Sequence, residues 1–284
     1  MTTTNDTITT PISVPEEKSS QQFKEIADRA SYVLLPALAL GLFLVVWQLL
    51  SGTGITGTLP GPLEILQDTD TQRLIREPFF IDDANAKGLG WQLLASLQRV
   101  ALGYSLAAVV GVSLGVLIGS VRVFRLALDP IFQIFRTIPP LAWLPIALAI
   151  LRDGPSGGIF VIFITAVWPI IINTAVGVQA TPQDYKNVAS VLKLSNTTYF
   201  FQILLPSAAS YIFTGLRIAV GLAWLAIVAA EMLTGGTGIG FFIWDSYNSS
   251  RIGDIVVAVI YVGLVGFILD RAVYYAGKLL VASE

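Results

Sequence analysis

The feature that most constrains this chain is a repeated one: stretches of about twenty residues with little or no charge, each long enough as a helix to cross the hydrocarbon core of a bilayer. They cover about 32–50, 97–120, 130–151, 159–178, 208–233 and 255–279. Six such runs predict an all-α, polytopic membrane protein with six transmembrane helices. The rest of the composition agrees, with 54% of the 284 residues hydrophobic and only 13% charged, about half the charged share of a soluble domain. An ordinary water-soluble enzyme is excluded. Lys plus Arg number 17 and Asp plus Glu 19, a net charge of -2 without the basic footprint of a nucleic-acid binder. The chain has neither Cys nor His, which excludes disulfides, thiolate or imidazole metal sites and His-based triads. No metal and no cofactor is expected in this chain.

Residues 1–29 are rich in Thr, Ser and acids and poor in large apolar groups, so they are expected to be a disordered tail, with the membrane domain over 30–284. No basic stretch followed by a short apolar core and cleavage site occurs there, so the first span is expected to be retained. Lys18, Lys24 and Arg29 precede that span, whereas 51–92 carries six acids against Arg73, Arg76 and Lys87. The Lys/Arg bias puts the N-terminus in the cytoplasm. Six spans then return the C-terminus, with Lys278, to the same side. Within 51–92 the Pro60-Gly61-Pro62 turn precedes a short amphipathic helix opened by Glu64, Ile65 and Leu66.

In the second span Gly103, Ala107, Gly111, Gly115 and Gly119 recur at every fourth position, a stripe that lets another helix approach closely. Helix packing, against the fifth span or a second copy, is expected in preference to lining a pore. Pro139, Pro140 and Pro145 break or kink the third span, because each removes an intrahelical donor. The link 179–206 reads as helical: Thr181 caps, Pro182 suits the first position, and Tyr185, Val188, Ala189 and Leu192 share a face. Ser195 caps a second turn carrying Tyr199, Phe200 and Ile203. With only Lys186 and Lys193 as basic residues, this oily hairpin suits a docked protein better than a lipid surface.

Arg136, Arg217, Glu231, Asp270 and Arg271 fall at membrane depth, where ionisable groups are costly and so are functional candidates. Arg217 lies 11 residues past Pro206, about 16 Å along a helix. An ion pair of Arg217 or Arg136 with Glu231 is the structural alternative, and Glu231 can also gate the outer end or pair with Arg99 or Arg152. Trp143 and Trp224 lie inside spans, where packing is the default role and lining a constriction the other. Gly235, Gly236, Gly238 and Gly240 are followed by no Lys-Ser/Thr, so they form a bend and not a phosphate loop.

The run Asn187-Val188-Ala189, then Lys193, Ile203, Leu205 and Pro206, resembles the EAA loop of ABC importer membrane subunits, with Asn187 in place of the family Glu and Lys193 in place of its Gly. Leu59 to Pro62, Ser96 with Arg99 and Gly103, Ile138 to Pro140, Thr214 to Arg217, Ala223, Trp224 and Ala230 are similar to the branch serving nitrate, bicarbonate, sulfonates and taurine. The stretch 223–250, with Glu231, the Gly-rich turn and Trp244, is most similar to nitrate and bicarbonate members.

The resemblance implies a type I ABC importer permease fold in a homodimer, in the bacterial inner membrane. Two ABC ATPase subunits, which bind ATP and Mg, dock at the EAA loops, and an extracytoplasmic solute-binding protein delivers the solute. It implies transport and no catalysis in this chain, with nitrate or nitrite expected and bicarbonate, then sulfonate or taurine, as alternatives. For an oxyanion, Arg217 and Arg136 offer a guanidinium that binds two oxygens in plane. A stand-alone channel or secondary transporter is the rival, but it calls for paired broken helices and only the third span is broken.

Overall fold

The computed structural model describes residues 15–53, 57–83 and 87–281, which divide into one unit up to Glu64 and a second from Ile65. The first unit is dominated by α1 (Pro15–Gly52). Along its apolar length from Leu34 no described residue is buried, with Leu38, Leu42 and Leu49 each about two-thirds exposed. Gln48 Oε1 accepts from Leu63 N at 3.0 Å and Glu64 Oε2 from Gly61 N at 3.0 Å, tying the Pro60-Gly61-Pro62 turn to the end of α1. The expected disordered tail is corrected in part. Residues 1–14 lie outside the described residues, but α1 begins at Pro15, because proline at a first position forfeits no intrahelical bond and Glu, Lys and Gln propagate helix well.

The boundary falls within α2 (Pro62–Gln67), and the second unit continues into α3 (Thr69–Arg76), capped by Asp68 Oδ1, which accepts from Asp70 N and Thr71 N. The long helices are α4 (Leu89–Ser120), α7 (Gly154–Gln179), α10 (Leu205–Thr234) and α12 (Ile252–Val281). Between them stand α5 (Arg122–Phe135), α6 (Leu144–Leu151), α8 (Gln183–Val191), α9 (Asn196–Tyr199) and α11 (Ile239–Asn248). Among the described residues five helices are long and apolar enough to cross a membrane. The sixth expected span is a pair, α5 and the Pro140–Leu151 segment, bent by 93°. Pro139 and Pro140 supply no N–H there, so the chain leaves the helix after Arg136 and restarts as a 3-10 turn over Pro140–Trp143.

The core is α7 held between α4 and α10. The small-residue stripe of α4 does meet a helix, but it is α7 and neither α10 nor a second copy, which corrects the expected partner. A Cβ at Gly103 would fall 2.8 Å from Ile162 Cβ, at Gly111 2.8 Å from Ile170 Cβ, at Gly115 2.5 Å from Thr174 Cβ and at Gly119 2.6 Å from Val178 Cβ. Since lipid tails are as apolar as Leu, this contact holds by packing at close approach, not by exclusion of water. Ile162, Ile170 and Ile171 on α7 are buried as a result. On its other side α7 meets α10, where Gly215 abuts Asn173 and the Pro169 carbonyl. Asp153 caps α7, its Oδ2 accepting from Ser156 N at 2.8 Å, and this bonding holds the carboxyl below its ordinary range.

Candidate functional site

The surface at the α8 end of the bundle is built by local rules. Pro182 precedes α8, and the helix closes with Leu194 N donating to Ala189 O at 3.0 Å and Lys193 N to Ser190 O at 3.2 Å. That closure needs a left-handed residue, usually Gly. Here Lys193 takes it, at φ 51°, so the tight turn forms despite the side chain. Ser195 Oγ then accepts from Thr198 N at 3.1 Å and starts α9, which passes through a π turn over Phe200–Leu204 into α10.

Of the apolar face expected on α8, only Ala189 is buried, while Tyr185, Val188 and Leu192 are exposed. Asn187 is also exposed and accepts from Gln183 Nε2 at 3.3 Å. The second turn faces the other way, with Tyr199, Phe200 and Leu205 packed on Val178, Leu204, Ala208 and Ile212. Between the two runs a groove of ≈ 630 Å³ lies open, lined by Tyr185, Val188, Ile203 and Pro206 among others. The link is therefore a helical platform with exposed apolar residues, packed on α7 and α10 through its second turn.

Of the pairings that the sequence offers Glu231, the structure takes the one with Arg99. Glu231 pairs with neither Arg217 nor Arg136. Its Oε1 accepts from Arg99 Nη1 at 2.5 Å, and its Oε2 from Ser96 Oγ at 2.8 Å and Gly240 N at 3.1 Å. Arg99 also donates to Thr237 O at 2.7 Å, and Gln92 Oε1 accepts from Gly238 N at 2.7 Å. The carboxylate is thus 2% exposed yet fully bonded, which is the condition for a buried charge. The arrangement clamps the 235–240 bend onto α4. A Cβ at Gly238 would stand 2.3 Å from Glu231 Cδ and one at Gly240 2.0 Å from Val228 O, so the glycines serve close approach and not phosphate binding.

Arg217 is bidentate to Asp270, Nε to Oδ1 at 2.6 Å and Nη2 to Oδ2 at 2.8 Å, with the Tyr274 ring 5.2 Å from its Cζ. This joins α10 to α12 and engages the fork expected for substrate. Arg271 lies against the Phe267 ring at 5.0 Å. Trp224 is buried, its indole N–H donating to Val262 O at 2.9 Å, which is a packing role. Trp143 stacks on Phe135 at 5.8 Å beside the bend. Arg136 follows the last turn of α5 and borders a cavity with Asp129 and Gln133. The residues missed from sequence are these last two, although Arg122, Arg125, Asp129, Gln133 and Arg136 recur at helical spacing and were readable as one polar face.

The profile of the family described as binding-protein-dependent transport system inner membrane component matches residues 107–280. The nitrate import permease protein NrtB of Synechocystis sp. is 60% identical over 253 residues, 89% of this chain and 90% of that protein. The bicarbonate transport system permease protein CmpB of the same organism is 52% identical over 257 residues, 90% of this chain and 91% of that protein. Among solved structures, an inward-facing form of the MetNI methionine ABC transporter aligns with TM-score 0.58 at 16% identity, covering 68% of this chain and 95% of that one, a likeness of fold. With the fold, the membrane spans and relatives matched along nearly their whole length, the chain belongs to the binding-protein-dependent transport system inner membrane component family, on the branch of the nitrate and bicarbonate permeases.

Proposed function

We propose that this chain is the permease of an ATP-driven importer that carries nitrate, or nitrite, across the bacterial inner membrane. The observation that carries the choice of solute is the 60% identity to a nitrate import permease, against 52% to a bicarbonate one. Two copies would enclose the pathway, with both termini cytoplasmic. Asn187, Val188, Ala189, Lys193, Ile203, Leu205 and Pro206 would form the face on which an ATPase sits, since Val188, with Tyr185 and Leu192, leaves apolar surface exposed there. ATP and Mg would be bound by the two ATPases, and an extracytoplasmic solute-binding protein would present the anion. Closure of the ATPases then pushes the α8 platforms together, and α7 and α10, into which each platform is anchored, swing from inward-open to outward-open.

The test is reconstitution. The chain is purified with its co-purifying subunits, sealed in proteoliposomes, and assayed for uptake of labelled nitrate with and without ATP, with bicarbonate as competitor. ATP-dependent nitrate uptake is expected. Uptake of bicarbonate in its place would reassign the solute, and transport by the chain alone without ATP would overturn the importer.

A further inference from the structure

Arg99 and Glu231 neutralise each other, and so do Arg217 and Asp270. Arg136 differs: among the described residues its guanidinium has no hydrogen bond, ion pair or ring contact. Its depth follows from the way α5 runs along α7. Arg125 Nη1 donates to Gln179 Oε1 at 2.7 Å, whereas Phe132 and Phe135 meet the Trp168 ring at 5.5 and 6.2 Å. Gln179 ends α7 and Trp168 stands 11 residues before it, about 16 Å along the helix. Arg136, just past Phe135, therefore lies near the middle of the span, far from the interface to which an arginine normally reaches.

It borders a cavity of ≈ 270 Å³ between α4, α5 and α7 whose polar lining is Asp129, Gln133, Arg136 and Gln179. That is room for a small oxyanion together with several waters, at about 30 Å³ per water. Gln179 is engaged, donating to Ala175 O at 3.1 Å and accepting from Arg125. Gln133 takes no such bond among the described residues.

We propose that this cavity is a transient binding site for the transported oxyanion on the half of the pathway nearer α8. Arg136 is the anion-binding group, Gln133 a second donor, and Asp129 the like charge that keeps the site weak enough to empty. A guanidinium fork matches two oxygens of a planar anion, and a transport site must release what it holds. The inference rests on the oxyanion reading above. The competing role is structural: Arg136 caps α5, where a cation complements the carbonyl end of the helix.

The experiment uses the complete importer in lipid nanodiscs, titrated with sodium nitrate while the saturable quenching of Trp168 is followed against a Trp168→Phe control. Arg136→Gln is expected to raise the half-saturating nitrate about tenfold or more, the loss of one charge-assisted hydrogen bond. Asp129→Asn is expected to lower it. A cap or a helix-packing role gives no such opposite pair, so identical titrations in all three proteins overturn the proposal. Should Arg136→Gln fail to assemble, Asp129→Asn decides alone, and an unchanged half-saturation overturns it. Nitrate uptake by the wild-type importer is measured in parallel. Its absence removes the oxyanion reading and this site with it, whereas normal uptake with unresponsive quenching removes only the site.

Discussion

Glu231 shows how a charge is kept inside this bundle: two side chains and a backbone N–H converge on one carboxylate, and the Arg99 that neutralises it lies 132 residues away. Removing one partner leaves the other charged and buried, which costs about 3 kcal/mol or more. Arg99→Ala is therefore expected to lower the thermal midpoint of the detergent-solubilised chain by more than Arg99→Ala combined with Glu231→Ala does, and a double-mutant cycle reads the difference. The exposed pair Arg73 and Asp82 behaves differently. Two hydrogen bonds of 2.6 and 2.7 Å from Arg73 hold the Asp82 carboxyl below its ordinary range. A depressed folded value means that the contact contributes fully above the unfolded value of about 3.9 and is lost as pH falls through the lower one. Hydrogen-exchange protection over 69–82 is expected to be flat from about pH 5 to about 8 and to decline below about 4. A decline on the alkaline side would contradict the assignment.

Helix contacts here depend on single side chains being absent. With Thr174 Cβ 2.5 Å and Ile171 O 2.8 Å from where a Cβ would sit, Gly115→Val must push α4 off α7. The expected loss is about 1–3 kcal/mol, read as a lower thermal midpoint. Lys193 presents the opposite case, a side chain where a glycine would fit. A left-handed lysine is strained by about 1 kcal/mol, so Lys193→Gly is expected to slow hydrogen exchange at Leu194, whose N–H closes the turn. The Lys193 side chain is exposed just past the end of α8.

At the scale of the whole molecule, α8 leaves Tyr185, Val188 and Leu192 exposed, and the proposed docking of an ATPase there is testable. Val188→Asp is expected to abolish ATP-dependent uptake without reducing the amount of chain in the membrane, because Val188 is 52% exposed, on the rim of an open groove. Loss of the chain from the membrane would show a folding role in its place. The sequence by itself determined five apolar spans, the break at Pro139 and Pro140, the capping by Ser195 and the exposed apolar residues of α8, because hydropathy, missing N–H groups and capping side chains act over a few residues. It also carries the spacing of Asn187, Ala189, Ile203, Leu205 and Pro206 that resembles the EAA loop. Tertiary structure alone decided that the stripe of α4 faces α7, that Arg217 takes Asp270 and Glu231 takes Arg99, and that Arg136 has neither. Those outcomes depend on which helices are neighbours and at what height, and groups 53 or 132 residues apart acquire a common depth only when the helices pack.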